Sequence, residues 1–297
     1  MNDTARPFDR RLLRLRRERA ASALLAGSFL HRQLAERLLE RLADIRRPFP
    51  RILELASACP ELSRALDARA GTELLVRLDI ARPLLAPGPG PAVLGEEELL
   101  PFGADRFDAV LGVMSLHKVN DLPGALAQIR HCLKPDGLML VAFPGGRTLR
   151  ELREVLLQAE LDCLGGAGPR VAPFVDLADA AALLQRAGFA LPVADREEIT
   201  VHYAEPLRLL YDLRAMAETA ILAGHRRPLR RDVLARALAL YRERFATADG
   251  RVRASFEIIF MTGWKPDASQ PRPLPPGSGK IDLAALLGRP PGGAQCS

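Results

Sequence analysis

The chain has 297 residues, of which 48% are hydrophobic and 26% charged, and its formal net charge is +6. This ordinary globular composition fits one large domain or one domain with an insertion, and no apolar run approaches the roughly 20 residues that span a bilayer. Only 5% of the residues are aromatic, which argues against a surface that stacks nucleic-acid bases, and the four scattered cysteines show no metal-ligand or disulfide spacing and fit a reducing compartment.

The chain begins with an arginine-rich segment that has two interpretations. Acid-poor, arginine-rich starts occur in organelle transit peptides, and they also occur as amphipathic helices of the mature domain. Asp9 and Glu18 interrupt the basic run, which favours the helix. Residues 29–47 then place Leu30, Leu34 and Leu38 on one face, the pattern of an amphipathic helix. Residues 1–48 are therefore predicted to be an N-terminal helical segment.

Apolar strands and helix-period segments alternate through the next hundred residues. Strands are predicted at 52–55, 73–79, 107–117 and 138–143, with a short strand opening 92–102, and helices at 61–69 and 121–133. This alternation indicates βαβ units and a doubly wound, mostly parallel α/β sheet. Ligands of such sheets bind outside the carboxyl ends of the strands. The candidate positions therefore follow the strands, at 56–60, 79–80, 96–99 and 114–120.

The pattern changes after residue 143. A helix is predicted from Thr148, with Glu151 in capping-box spacing, and another is predicted to end at Gly188. Strands at 198–203 and 254–264 flank two helices, at about 206–223 and 231–247, so the strands are expected to form an antiparallel pair at the sheet edge. The predicted domains are an α/β domain (49–203 and 251–264), a helical insertion (204–250) and a Pro/Gly-rich tail (265–297).

The turn after the first strand, residues 56–60, contains no glycine. A dinucleotide needs the close backbone approach that glycines allow, so the turn argues against NAD, ATP or GTP. S-adenosylmethionine has no phosphates and depends less on that approach. It can be held by acids at strand ends and by apolar packing on its adenine. The layout therefore favours S-adenosylmethionine.

The acids and the histidine near the strand ends each have two interpretations. Asp79 fits the ribose hydroxyls or is a solvated surface acid. The run Glu96-Glu97-Glu98 could receive the adenine amine, but a solvated charge run is the simpler explanation. Glu54, inside an apolar strand, should be paired or lie near a ligand. His117 is the one catalytic candidate, as a base or a substrate contact, or it merely starts a helix. No metal site is predicted.

Several sequence motifs resemble those of a known protein family. The segment "LPFGADRFDAVLGVMSLHKVNDLPGALAQIRHCLKPDGLMLVAF" resembles the centre of class I S-adenosylmethionine-dependent methyltransferases of the biotin-synthesis type. The chain resembles one subgroup more closely, the mitochondrial complex I assembly factor 5 family and its alphaproteobacterial relatives. That likeness rests on "FDR" at 8–10, "SLHKVNDLP" at 115–123 and "ASFEIIFMTGWKPDASQPRP" at 254–273. The "FDR" match assigns the basic start to the mature domain.

The resemblance implies a seven-stranded class I methyltransferase sheet, Rossmann-like, with an antiparallel C-terminal edge strand. It implies an S-adenosylmethionine site in which Asp79 takes the ribose, Glu96 the adenine amine, and the backbone of 56–60 the methionine part, above Glu54. The full set of candidate cofactor residues is Glu54, Ala56, Ser57, Ala58, Asp79, Ile80, Glu96, Glu97 and Met114. The chain departs from the family's Asp-x-Gly-x-Gly-x-Gly motif, since it has Glu54-x-Ala56-x-Ala58-x-Pro60. Pro60 is tolerable in the first turn of a helix, but the alanines narrow the turn.

The resemblance further implies a protein or carrier-bound substrate, with a complex I subunit as candidate partner. Nucleic acid and an integral membrane segment are not expected, on the composition described above. The eukaryotic member is understood as an arginine hydroxylase. A cytoplasmic bacterial protein is expected, with membrane association through partners left open. The alternative is a non-catalytic assembly factor that kept the fold and lost the cofactor, docking through the insertion and its basic run at 225–231. That run equally fits a solvated loop.

Overall fold

The computed structural model describes residues 6–224 and 228–271. It contains one seven-stranded sheet in the order β3-β2-β1-β4-β5-β7-β6. Strands β1 to β5 are parallel to one another, and β7 runs antiparallel to both β5 and β6. The strands are β1 Arg51–Leu55, β2 Leu74–Asp79, β3 Ala92–Leu94, β4 Phe107–Val113, β5 Leu133–Pro144, β6 Ala190–Tyr203 and β7 Val252–Trp264. The predicted doubly wound, mostly parallel sheet with an antiparallel pair at one edge is confirmed, and β6 is the outermost strand of that pair.

Nine helices accompany the sheet within the described residues. They are α1 Arg10–Leu25, α2 Phe29–Ala43, α3 Pro60–Asp67, α4 Arg82–Leu85, α5 Leu122–Cys132, α6 Arg150–Leu164, α7 Leu177–Arg186, α8 Pro206–Ala215 and α9 Arg231–Phe245. Alternate residues of the central strands enter two cores, because successive strand side chains point to opposite faces. Leu138 and Leu140 join α2, α6, α8 and α9 in one core, whereas Met139 and Val141 join α5 and α7 in the other.

Five sequence-based expectations need correction. Strand β6 begins at Ala190, eight residues before the predicted start at 198. Strand β4 ends at Val113, and residues 116–118 form a 3-10 turn instead of continuing it. Strand β5 begins at Leu133, five residues before the predicted start at 138, and residues 134–137 form an irregularity inside the strand, with Asp136 at φ +57°. Helix α8 ends at Ala215, about eight residues early. The capping box is wrong: α6 has no side-chain cap.

Thr148 and Glu151 make tertiary contacts in place of the predicted cap. The Thr148 hydroxyl donates to the Glu257 carbonyl, and the buried Glu151 carboxylate accepts from the Ser255 amide and hydroxyl. These bonds tie α6 to β7. The predicted end of α7 at Gly188 is confirmed, with Gly188 in the left-handed region at φ +77°. The predicted division into domains stays a prediction.

The chain divides into two compact units near its C-terminal end. Residues up to Pro266 form one compact unit, and the chain from Asp267 onward belongs to another. Most of the predicted tail, residues 272–297, and residues 225–227 of the predicted basic docking run lie outside the described residues. Among the helices that are described, none has the length and apolarity to cross a membrane.

Candidate functional site

The loop between β1 and α3 forms without glycine. Ala56 takes the left-handed region at φ +52°, where glycine is the usual occupant. The Ser57 amide donates to the Leu78 carbonyl of β2 at 3.1 Å, which holds the loop against the neighbouring strand. Pro60 lies in the first turn of α3, as predicted, where its missing N–H costs nothing. Ala58 is buried, at 1% exposure, and is not in the left-handed region.

Glu54 lies buried beneath this loop. Its carboxylate accepts a hydrogen bond of 2.7 Å from the Ser63 hydroxyl of α3, which confirms that an acid inside this strand has a partner. Burial raises the pKa of Glu54 to about 7, although the serine hydroxyls nearby oppose the shift. The carboxyl therefore titrates close to neutral pH.

Asp79, at the end of β2, forms a fully buried ion pair with Arg17 of α1. The Arg17 guanidinium contacts both carboxylate oxygens, with Nε 3.2 Å from Oδ1, and the Ala81 amide donates to Oδ1 at 2.8 Å. Burial raises the pKa of Asp79, while Arg17 and the Ala81 amide act against that rise. With 0% exposure, Asp79 is not the solvated acid that one interpretation proposed. Its role toward a ribose stays a prediction.

The acids after β3 meet a second arginine of α1. Arg10 contacts Glu97 directly, and its Nε lies 3.2 Å from Glu96 and 3.7 Å from Glu98. Glu97 is buried, whereas the Glu96 side chain is 43% exposed. The interpretation of residues 96–98 as a solvated charge run is therefore wrong for Glu97, because its charge is paired inside the protein. Binding of an adenine amine by Glu96 or Glu97 stays a prediction.

Sequence analysis missed the two arginine contacts, although a signal for them exists. Arg10 and Arg17 are seven residues apart, which places them two turns apart on the same face of α1. Two exposed arginines of the same helix, Arg11 and Arg19, lie on other faces, whereas Arg14 borders the same face and pairs with Glu18. A basic run with this spacing can direct two cations toward two acids. The prediction of an amphipathic helix did not assign individual arginines to its faces.

His117 lies beyond β4 in a buried charged cluster. Its Nε2 is 3.0 Å from the Glu218 carboxylate, and its Nδ1 is buried without a hydrogen-bond partner. The Lys118 ammonium lies 2.8 Å from Glu218 and donates to the Ala217 carbonyl at 2.9 Å. Burial would raise the pKa of Glu218, but Lys118 and His117 hold it far below its usual range. Burial lowers the pKa of His117, so the imidazole is neutral at pH 7.

Glu218 was missed because it follows α8, about a hundred residues from His117 in the chain, and no spacing rule joins them. Two further buried polar atoms near the strand ends have no hydrogen-bond partner in the described structure. They are His31 Nε2 of α2 and Ser115 Oγ, next to Met114. Met114 itself is buried and left-handed, at φ +55°. Burial lowers the pKa of His31 to about 3.

The predicted candidates assemble at one edge of the sheet. They follow β3, β2, β1 and β4, which are adjacent and parallel, so their carboxyl ends meet. All candidates except Glu96 are buried: Glu54, Ala56, Ser57, Ala58, Asp79, Ile80, Glu97, Met114 and His117. The described residues contain no group of three or more His, Cys, Asp or Glu side chains that could hold a metal ion.

A cavity of about 790 Å³ adjoins this edge. Lys118 and Glu218 form part of its wall, so it reaches the charged cluster around His117. Most of the lining is apolar and comes from α6, α8 and the 166–174 loop, including Leu149, Leu152, Leu156, Val171, Phe174 and Leu213. Arg16 of α1 also lines the cavity and donates to the Ala220 carbonyl. The arrangement gives an apolar chamber with a carboxylate and an ammonium at one end.

The chemistry of the donor set fits an adenosine cofactor. A carboxylate lies at the end of β2, more acids follow β3, and Ile80 and Met114 supply apolar surface. The Ser115 hydroxyl is a buried polar atom still without a partner. What lies over this set is α1, through Arg17 and Arg10. The residues present therefore suit the cofactor's functional groups, while the space beside Asp79 belongs to a helix of the chain itself.

Comparison with known proteins gives a consistent result. A family model described as a methyltransferase domain matches residues 27–192. The mitochondrial arginine-hydroxylase NDUFAF5 of Homo sapiens is 38% identical over 286 residues, which cover 94% of this chain and 83% of the relative, and that of Danio rerio is 36% identical, covering 94% and 89%. A malonyl-[acyl-carrier protein] O-methyltransferase of Methylovorus sp. is 31% identical, covering 88% and 90%. A putative methyltransferase of Bacillus halodurans has the same fold, with a TM-score of 0.54 at 16% identity, covering 78% and 99%.

Proposed function

Because the chain belongs to the methyltransferase-domain family, with the arginine-hydroxylase NDUFAF5 proteins among its relatives, we propose that it binds S-adenosylmethionine and modifies a protein substrate during assembly of respiratory complex I. One observation carries the proposal. The acid at the end of β2, the loop after β1 and the acids after β3 meet at a single sheet edge, which is where α/β proteins bind nucleotide-like ligands.

In this proposal the cofactor is held by residues that follow four strands. Asp79 accepts the ribose hydroxyls, Glu96 or Glu97 accepts the adenine amine, and Ile80 and Met114 pack on the adenine. The backbone of 56–60 supports the methionine part above Glu54. When bound, S-adenosylmethionine supplies a methyl group on a sulfonium, and transfer of that methyl needs chiefly an acceptor in line with it.

His117 is the proposed proton acceptor. Its Nε2–H donates to Glu218, which fixes the tautomer and leaves the lone pair on Nδ1. Since burial keeps the imidazole neutral, Nδ1 can take a proton from the substrate atom that receives the methyl group. Lys118 lies beside the same carboxylate and neutralises its charge. Glu218 is then a positioning residue, because it acts through His117.

The cavity beside His117 is the proposed substrate chamber. Its leucine-rich walls suit the methylene part of a long side chain. The name of the NDUFAF5 relatives points to an arginine side chain as the substrate, and a complex I subunit is the candidate protein that carries this arginine. Hydroxylation of the same side chain, suggested by that name, is the alternative modification, and it would require an external oxidant in addition to the residues described.

Calorimetric titration with S-adenosylmethionine and S-adenosylhomocysteine tests the cofactor step. Binding with a Kd below about 100 μM, lost in Asp79→Asn and kept in the matched surface variant Asp67→Asn, supports the proposal. Because Asp79→Asn leaves Arg17 buried without a counter-charge, the double variant Arg17→Met/Asp79→Asn serves as a second, charge-balanced test. Absence of binding by the unmodified chain at millimolar ligand contradicts the proposal.

Mass spectrometry of complex I subunits tests the substrate step. Subunits from cells with and without the gene should differ by one methylene unit on one peptide if the chain transfers methyl, and by one oxygen atom if it hydroxylates. Identical spectra would contradict a stable modification of those subunits.

A specific observation also supports a second candidate function, a non-catalytic assembly factor. The altered loop packs against α1, because Ala58 shares a small hydrophobic cluster with Ala20, Ala21 and Leu24. Under this candidate the fold persists as a binding scaffold. Failure of the unmodified chain and all variants to bind either adenosine ligand would favour it.

A further inference from the structure

Helix α1 covers the acids of the candidate cofactor edge and part of the loop beside them. Near its start, Arg10 contacts the acids after β3, and two turns later Arg17 contacts Asp79. Toward its end, Ala20, Ala21 and Leu24 pack with Ala58 of the β1–α3 loop and Ala81 after β2. One face of the helix therefore meets the carboxylates assigned to the cofactor's ribose and adenine amine.

We propose that α1 is a displaceable lid and that Arg17 sets cofactor affinity by competing with the ribose hydroxyls for Asp79. This inference rests on the proposed cofactor site. Both Asp79 oxygens are already engaged by Arg17 and the Ala81 amide, and the carboxylate has no exposed surface. A ribose can reach Asp79 only when Arg17 withdraws, so every binding event includes the release of this ion pair.

The packing of α1 makes its release plausible without unfolding of the core. Its apolar residues belong to two small clusters, one around Leu24 and one around Leu13, apart from the two cores that cover the sheet. Helix α2, by contrast, buries Leu30, Leu34 and Leu38 in a main core. Elements with few apolar contacts open at lower free energy than the core elements do. Helix α1 can thus leave while α2 stays.

The junction between the helices provides a hinge. Helix α1 ends at Leu25, α2 begins at Phe29, and Gly27 between them has φ +104°, a conformation that favours glycine. Hinges of lids are commonly a few residues at the ends of elements that absorb the change in backbone angles. Rotation about this junction moves Arg10 and Arg17 together, because both lie on the same rigid helix.

A variant that lacks the charge of Arg17 tests whether this residue competes with the ribose for Asp79 or only stabilises the fold. In Arg17→Met the side chain keeps much of its bulk, but Asp79 has no competing cation, so the variant should bind S-adenosylhomocysteine about tenfold more tightly than the unmodified chain, within the usual range of coupling between linked equilibria. Arg19→Met, an exposed change on another face of α1, should bind like the unmodified chain. Equal or weaker binding by Arg17→Met would overturn the proposal.

Hydrogen exchange of the unmodified chain gives a second test that does not depend on a variant's folding. With S-adenosylhomocysteine bound, amides of α1 should exchange faster, while amides of α2 and β1 keep or gain protection. Unchanged or stronger protection of α1, together with binding, would overturn the lid. If neither the unmodified chain nor Arg17→Met binds the ligand, the proposed cofactor site itself fails, and the lid fails with it. The outcomes for the lid and the site are thereby distinguishable.

Discussion

Two alanines that replace glycines of the family motif should respond differently to reversion. Ala56 has φ +52°, and an L-residue in the left-handed region costs about 1–2 kcal/mol that glycine avoids. Ala56→Gly recovers this strain, but it loses about 0.4–1 kcal/mol to the greater freedom of the unfolded chain and about 0.8 kcal/mol for the buried methyl. The contributions nearly cancel, so the expected change in the free energy of unfolding is within about 0.5 kcal/mol.

Ala58→Gly has no strain to recover. Its φ is outside the left-handed region and its methyl is buried against α1, with 1% exposure. Only the two costs remain, so the variant should lose about 1.5 kcal/mol. Urea unfolding, followed by the shift in midpoint at unchanged slope, measures both variants. If Ala58→Gly is as stable as Ala56→Gly, the assignment of strain to Ala56 and of packing to Ala58 is wrong.

Three other perturbations test the buried charges. The unmodified chain should lose about 3 kcal/mol of unfolding free energy between pH 4.5 and 7, because the Glu54 carboxyl ionises near pH 4.5 in the unfolded chain and near pH 7 in the folded one. Glu54→Gln should remove this loss. Parallel curves of stability against pH for the two proteins would contradict the prediction. Glu218→Gln should cost about 3–5 kcal/mol at pH 7 by leaving Lys118 buried and unpaired, and Lys118→Met/Glu218→Gln should regain much of it; additive losses in this double-mutant cycle would refute the pairing. Arg41→Lys should cost about 1 kcal/mol of stability, since lysine cannot reproduce the two hydrogen bonds of 2.8 and 3.0 Å to Asp195 or the stacking on the Phe260 ring. Thermal unfolding measures the change. An unchanged melting temperature would show that the guanidinium contacts add no stability.

The sheet was predictable because its signals are local. Apolar runs bounded by turns indicated the strands, and their alternation with helices predicted that these strands are parallel. Boundaries failed where tertiary contacts override local patterns. Thr148 and Glu151 have the spacing of a cap, yet β7 offers both of them partners. The segment at 134–137 has turn residues, yet the strand runs through it, because Leu133 and Leu138 on either side pair with β4.

The candidate site was predictable only in part. Parallel topology brings strand ends together, so Asp79, Glu97 and the 56–60 loop could be placed at one edge in advance. The cations that neutralise them could not, because Arg10 and Arg17 come from a helix whose docking depends on the fold as a whole. Glu218 comes from the insertion, where no periodicity indicates which residue reaches inward. Long-range charge pairing is therefore what the sequence patterns left unresolved.

The adjacent residues Arg16 and Arg17 face different places: Arg17 contacts Asp79, whereas Arg16 lines the cavity and donates to the Ala220 carbonyl. A rigid helix cannot withdraw one of them and leave the other in position. Any movement that frees Asp79 also reshapes the cavity wall, so ligands of the two places influence each other's affinity by the same factor. The expected kinetic consequence is an ordered mechanism, in which the adenosine ligand binds first and the substrate chamber takes its final shape only afterwards.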